Sequence, residues 1–345
     1  MKKVAIIGHF GGTEDMLDGQ TVKTKVLYEE LKNSTDWKII KVDTYYKNKN
    51  PFKLFFNTVI CLLRTKDVIV LLSGNGMKFY FPLLYFCTKF LGTRVYHDVI
   101  GGNLSLHVVK HPQFIKYLNS FQVNWVETGS MKRELNDQGI HNCAVMPNFK
   151  RLKITNEINS DFDEPYCFCT FSRVMKEKGI EIAVDTVKKI NKQAGKTVCK
   201  LDIFGIVDGD RKEWFENLKA TFPDYIKYKG SVPFNKSAEV LENYFALLFP
   251  TFWEGEGLPG TIIDAFFAGL PVIASDWNFN AEILNHMETG IIYPNDGFPS
   301  LEASMNWAIN NVDSMIAMRQ NCLREAERYM PDKYIAEIKS LVLKG

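Results

Sequence analysis

Residues 256–275 read EGLPGTIIDAFFAGLPVIAS, and the punctuation of this stretch decides the architecture. An apolar run at 246–249 leads into a glycine–proline turn. A short apolar helix follows, and a second strand at 272–274 comes straight after it. A strand–turn–helix–strand unit of this kind belongs to a parallel α/β sheet, and its turn lies at the carboxyl edge of the strands, where ligands bind. Free N–H groups at the helix start suit a phosphate. Glu256 in the turn and Asp264 in the first turn of the helix can accept hydrogen bonds from sugar hydroxyls on either side of that phosphate. Phosphate flanked by polyol on both sides describes a nucleotide sugar. Asp264 also has a plainer reading, the capping box Thr261-x-x-Asp264, and one carboxylate can serve both.

Outward from this segment, short apolar strands alternate with helical stretches along the whole chain, the pattern of parallel βαβ units. Strands are expected at 4–8, 37–42, 68–72, 94–98, 124–127 and 144–146. A second set is expected at 166–171, 200–204, 226–228, 246–249 and 272–274, with helices closing the chain from 301 to 343. Met146-Pro147-Asn148 ends the first half, since proline stops a strand and asparagine suits a turn. The expected organisation is a first domain over 1–148, a polar linker over 149–164, a second domain over 165–325 and a closing segment over 326–345.

Composition agrees with two ordinary domains. The chain has 345 residues, 46% hydrophobic and 24% charged, as in soluble globular proteins. No run approaches the roughly 18 to 20 apolar residues of a membrane span. The opening MKKVAIIGHF has too short an apolar stretch for a signal-peptide core and reads as a first strand. Seven cysteines without paired spacing point to free thiols in a reducing, cytoplasmic setting. Cys167 and Cys169 share one face of an expected strand and read as core rather than metal site.

Charge is unevenly spread. Residues 1–150 carry 20 Lys and Arg against 12 Asp and Glu, whereas the remainder carries 22 against 28. Residues 38–94 hold ten bases and two acids, interleaved with aromatics from Tyr45 to Phe81. Two readings stay open: a solvated basic face over buried aromatics, or a surface resting on anionic lipid with a basic amphipathic helix near 52–64. No recognition motif accompanies the basic stretch, so nucleic acid is not expected as a partner.

The 256–275 segment resembles the donor-binding signature of retaining GT-B glycosyltransferases, the group called glycosyltransferase family 4. Their E-x7-E within EGLPxxxxEAxAxGxPVIA reads here as E-x7-D, with Asp264 as the second acid. The resemblance implies an α/β GT-B fold, two Rossmann-like parallel-sheet domains facing a central cleft. The first would bind acceptor and the second donor, and the closing helix would pack back on the first. It places Glu256 near the donor sugar, Asp264 on the nucleotide ribose, and the turn residues Gly257, Leu258, Pro259, Gly260 and Thr261 against the donor. It also implies same-face attack with retention, in which the departing phosphate takes the acceptor proton.

Further residues fit that chemistry. Arg173 and Lys178 stand five apart just after the first strand of the second half. An Arg fork and a Lys point charge can neutralise a leaving diphosphate, and with a helix N-terminus they can replace a metal. The family carries an Arg-x4-Lys pair at this place. Gly205 falls where the family has a glycine loop bordering the nucleotide. Asp208-Gly209-Asp210 matches the D-x-D metal motif of another glycosyltransferase fold, but reads more simply as turn residues; no metal and no cofactor are expected. Gly11, Gly12 and Gly19 form a loop before a helix, either a plain turn or, as the family has it, a face toward the donor phosphates. His97-Asp98 ends an expected strand, and such a pair points to the carboxyl edge; the family often places a His there, near the transferred sugar.

The expected function is therefore metal-independent sugar transfer from a nucleotide diphosphate sugar to a glycan or lipid-linked glycan of a surface polysaccharide. Location would be cytoplasmic, with peripheral membrane contact through 38–94. Two rivals remain: a GT-B nucleotide-sugar epimerase, and a degenerate sugar-nucleotide-binding subunit without catalysis.

Overall fold

The computed structural model describes residues 1–14, 16, 18–155, 158–295 and 298–344. Contacts divide the chain into two compact units. The first comprises 1–150, 255–258 and 330–345, and the second comprises 151–254 and 259–329.

Among the described residues the first unit holds a six-stranded parallel sheet. Its strands are β1 (Lys3–Gly8), β2 (Lys38–Asp43), β3 (Asp67–Val70), β4 (Arg94–Asp98), β5 (Val123–Val126) and β6 (Cys143–Val145), in the order β2-β1-β3-β4-β5-β6. Val4 to Ile7 and Val68 to Val70 are continuous apolar runs because both faces of a parallel sheet are covered by helices. Right-handed crossovers put the helices Pro51–Arg64 and Gly74–Phe90 on one face and Gly19–Ser34 on the other. The helix Pro331–Lys344 joins this unit. Tyr334, Ile335, Ile338 and Val342 recur at helical spacing and enter the core with Val4, Ile6, Leu27 and Leu31. Tyr334 stacks on Phe149 at 5.4 Å, and Lys2 Nζ donates to the Val342 carbonyl at 2.7 Å.

The second unit holds β7 (Tyr166–Phe171), β8 (Cys199–Phe204), β9 (Ile226–Gly230), β10 (Ala246–Phe249), β11 (Val272–Ser275) and β12 (Gly290–Tyr293), in the order β12-β11-β10-β7-β8-β9. The chain winds one way from β7 through β9, then returns to place β10 on the other side of β7. The strand order therefore reverses between β7 and β10, which is the position where parallel sheets open a crevice for ligands. The core under this sheet joins Phe168, Leu201, Leu248 and Ile273 with Val184, Val187 and Met305. Together these are two six-stranded parallel sheets with flanking helices, the GT-B arrangement.

Strand β12 was not expected from the sequence. The 149–164 stretch includes Asn156 and Glu157, which lie outside the described residues. All seven cysteines are free, six of them buried, with Cys169 inside β7.

Candidate active site

The reversal point of the second sheet gathers the cationic pair. Arg173 follows β7, its guanidinium 5.9 Å from the Trp253 ring centre and its Nη1 3.7 Å from Asp208 Oδ2. Lys178 closes the single turn Lys176–Lys178; it is buried, with Nζ 5.4 Å from the centre of the Phe249 ring at the end of β10. The backbone between them is held from several sides. Phe252 N–H donates to the Glu177 carbonyl at 2.8 Å, and Arg211 bonds the Glu177 carboxylate at 2.7 Å. Backbone bonds and then Arg211 hold the Glu177 carboxyl below its ordinary range.

Two glycines allow this approach. Gly179 has φ +70°, and a Cβ there would stand 2.1 Å from the Pro250 carbonyl oxygen. Gly205, at the end of β8, has φ +141°, and a Cβ would stand 1.7 Å from the Ser172 oxygen. Gly205 thus brings the β8 loop against the backbone that carries Arg173, and the Tyr228 hydroxyl fixes its carbonyl at 2.8 Å.

The helix Gly260–Phe267 corrects two expectations. Pro259 occupies the N-cap and offers no side-chain acceptor, so there is no capping box. Thr261 lies inside the helix and its hydroxyl donates to the Phe171 carbonyl, tying the helix start to the end of β7. Asp264 is the fifth helical residue rather than a first-turn acid, and it is buried. Asp208 and Asp210 flank a turn, Asp208 facing Arg173; among the described residues no group of three or more His, Cys, Asp or Glu could hold a metal ion.

Pro259, Gly260 and Thr261 belong to the second unit, whereas residues 255–258, with Glu256, Gly257 and Leu258, pack with the first. Their anchor is Glu127, which sequence reading missed. Its Oε2 accepts the Leu258 N–H at 2.7 Å, while Asn148 donates to the Leu258 carbonyl at 2.7 Å. A Cβ on Gly257 would lie 2.3 Å from Glu127 Oε2 and 3.0 Å from the Gly101 backbone. Glu127 Oε1 in turn meets Lys23 Nζ at 2.8 Å; the same ammonium lies 2.8 Å from Asp98 Oδ1 and donates to the Val99 carbonyl at 2.7 Å. Burial opposes the charge on Lys23, yet Asp98 and Glu127 hold its pKa above the ordinary value. Burial pushes Asp98 up to about 6, against the pull of Lys23 and with a further push from Glu127.

His97 lies near the end of β4. Its ring is fully buried in the layer with Phe81, 5.2 Å away, and Phe121, and its Nδ1 lies 3.1 Å from Asn124 Oδ1. Adjacent strand residues point to opposite faces, so Asp98 reaches the Lys23 cluster while His97 faces the core. Burial lowers its pKa to about 4, keeping the imidazole neutral at pH 7. Gly19 starts the helix Gly19–Ser34, with Asp18 as its cap accepting the Thr21 N–H at 3.1 Å, and nothing lies within 4 Å of a Cβ at Gly19.

Comparison with known proteins fits this geometry. Residues 165–311 match the family model described as Glycosyl transferases group 1. The amylovoran biosynthesis glycosyltransferase AmsK of Erwinia amylovora is 21% identical over 203 residues, covering 56% of this chain and 48% of the relative, so the match spans about half of that protein. Among solved structures, sucrose-phosphate synthase from Thermosynechococcus elongatus superimposes with a TM-score of 0.78 at 13% identity, covering 100% of this chain and 99% of that one. HepE from Anabaena, in complex with UDP and glucose, gives 0.71 at 12% identity over 100% of both chains. The chain thus has a GT-B fold, and its residues 165–311 are similar to the group 1 glycosyl transferases.

Proposed function

We infer that the protein is a retaining glycosyltransferase, moving a sugar from a nucleoside diphosphate sugar to a glycan or lipid-linked glycan acceptor of a bacterial surface polysaccharide. The observation that carries this reading is the placing of Arg173 and Lys178 at the β7/β10 reversal point, beside a helix start with no side-chain cap. The acceptor hydroxyl attacks the anomeric carbon as the bond to the β-phosphate oxygen breaks. That oxygen takes the hydroxyl proton, and negative charge grows on the diphosphate. Arg173 supplies a fork for two phosphate oxygens and Lys178 a buried point charge, which together stabilise the departing group without a metal. Glu256 orients the sugar and Asp264 the ribose. His97, closed into the core, takes no part in this scheme. The AmsK match and the UDP complex of HepE support the donor class and the polysaccharide setting.

The test is turnover of a nucleotide-sugar panel with and without lipid-linked acceptor, with the anomeric configuration of the product read by NMR. Transfer with retention, dependent on acceptor, is expected. Interconversion of the donor without acceptor would point to an epimerase, and binding without turnover to a non-catalytic subunit.

A further inference from the structure

The helix Pro51–Arg64 is apolar on both sides. Thr58, Cys61 and Leu62 face inward, as a helix covering a sheet requires. Opposite them, Phe52, Phe55, Phe56, Ile60 and Leu63 recur at helical spacing and stand in solvent, with Phe52 78%, Phe56 62% and Leu63 66% exposed. A helix that only roofs a sheet has a polar outer face, so this second stripe needs a partner.

The neighbouring helix Gly74–Phe90 repeats the pattern. Met77, Tyr80, Phe81 and Leu84 are buried, while Phe79, Phe86 and Phe90 are bare, Phe90 at 72%. The Phe86 and Phe90 rings lie 4.7 Å apart, forming one aromatic edge. Both helices cover the same face of the sheet, and the Thr58 and Tyr80 hydroxyls meet between them at 3.3 Å. The two stripes therefore look outward side by side.

Charge selects the occupant. Residues 44–93 contain a single acid, Asp67, and it is buried and paired with Arg94 at 2.7 Å and Lys2 at 3.1 Å. Lys47, Lys49, Lys53, Arg64, Lys78 and Lys89 are all exposed around the aromatics. Lys49 is paired with the exposed Glu14 at 3.1 Å, but neither helix carries a carboxylate of its own. Bare aromatics beside Lys53, Arg64, Lys78 and Lys89 match a negatively charged lipid interface, where rings sit at headgroup depth and ammonium groups meet phosphates. Among the described residues no helix is long and apolar enough to cross a membrane. We propose that the outward faces of Pro51–Arg64 and Gly74–Phe90 form one docking surface for an anionic lipid bilayer, held by shallow insertion of these aromatics.

Vesicle binding is read without turnover, so its failure and a failure of sugar transfer are separate results. The whole protein is sedimented with vesicles of phosphatidylcholine alone and with vesicles containing phosphatidylglycerol, at low and high salt. Binding to the anionic vesicles, weakened by salt, is expected. Phe56→Ser with Phe86→Ser should reduce it about tenfold or more, because each ring loses its apolar burial. Lys53→Gln and Lys89→Gln should each reduce it roughly fivefold. All four positions are exposed, so the melting temperature should not move, which separates lost docking from lost folding. Equal binding to both vesicle types, no binding to either, or binding unchanged in the aromatic variant would each overturn the proposal. So would a wild-type dimer that the aromatic variant converts to monomer while neither binds lipid, since the occupant would then be a second copy.

Discussion

Glu127 Oε2 accepts the Leu258 N–H at 2.7 Å, and through its other oxygen the same carboxylate balances Lys23 at 2.8 Å. The turn carrying Glu256 is thereby fixed to a buried charge cluster more than a hundred residues away in sequence. Removing one partner of a buried pair leaves the other charge uncompensated, at about 3 kcal/mol or more. Glu127→Ala should lower stability by that order in urea unfolding. Glu127→Gln should cost less, since an amide oxygen can still accept the Leu258 N–H. Equal losses would mean that the hydrogen bond to the turn contributes nothing.

Gly257→Ala should lower kcat by about a hundredfold, as ångström-scale displacement of a positioned group can do. The added methyl would meet a carboxylate pinned on both oxygens, with the Gly101 backbone behind it. The double variant with Glu127→Ala opens space and should recover part of the loss. Strictly additive effects would argue against the collision.

Much of this was legible in the sequence and some was not. Eleven strands could be read because parallel strands buried on both faces are continuous apolar runs bounded by turns. β12 escaped because it opens at Gly290, a residue that reads against a strand but is required here, where a Cβ would stand 2.0 Å from the Val272 carbonyl oxygen. The placement of Arg173 and Lys178 just after β7 was legible because it depends on local spacing after one strand. Glu127 and Lys23 were not, because their meaning comes from long-range pairing, and a lysine in the helix Gly19–Ser34 looks like any solvated face. Thr261-x-x-Asp264 satisfied a capping pattern, but Pro259 sits at the cap and the Phe171 carbonyl takes the threonine hydroxyl.

Gly205→Ala should destabilise the second unit by about 3 kcal/mol or more, because φ +141° is open essentially to glycine alone. The added Cβ would stand 1.7 Å from the Ser172 carbonyl oxygen, a backbone atom that cannot swing aside. Differential scanning calorimetry reads the effect directly; an unchanged melting temperature would mean that the β8 loop does not need this contact.

Acid should weaken the first unit through His97. Its folded pKa, about 4, lies below the ordinary 6.5, so between these values the unfolded chain binds a proton that the folded chain does not. Stability then falls as pH drops from 6.5 to 4, by roughly 3 kcal/mol from this group. Asp98, raised to about 6, works in the opposite sense and offsets part of the loss. His97→Gln should flatten the acid limb of a stability–pH curve. An identical limb in wild type and variant would show that His97 is not buried neutral.

Glu256→Gln should impair transfer more than nucleotide affinity, if its carboxylate orients the sugar as proposed. Asp264→Asn should weaken nucleotide affinity itself, by the roughly 1.5 to 3 kcal/mol of a charge-assisted hydrogen bond. Kinetics on the two variants, read beside their affinity for the free diphosphate, separate the roles; matching losses in both would refute the division.

The central claim is that Arg173 and Lys178 receive the donor diphosphate without a metal. Calorimetric titration of wild type, Arg173→Ala and Lys178→Ala with a panel of nucleoside diphosphates in EDTA tests it most directly. The account predicts that at least one diphosphate binds wild type in EDTA, and that each substitution weakens that binding by about tenfold or more, the worth of a charge-assisted phosphate contact. Binding that disappears in EDTA and returns with magnesium, or that is unchanged in both variants, would contradict it.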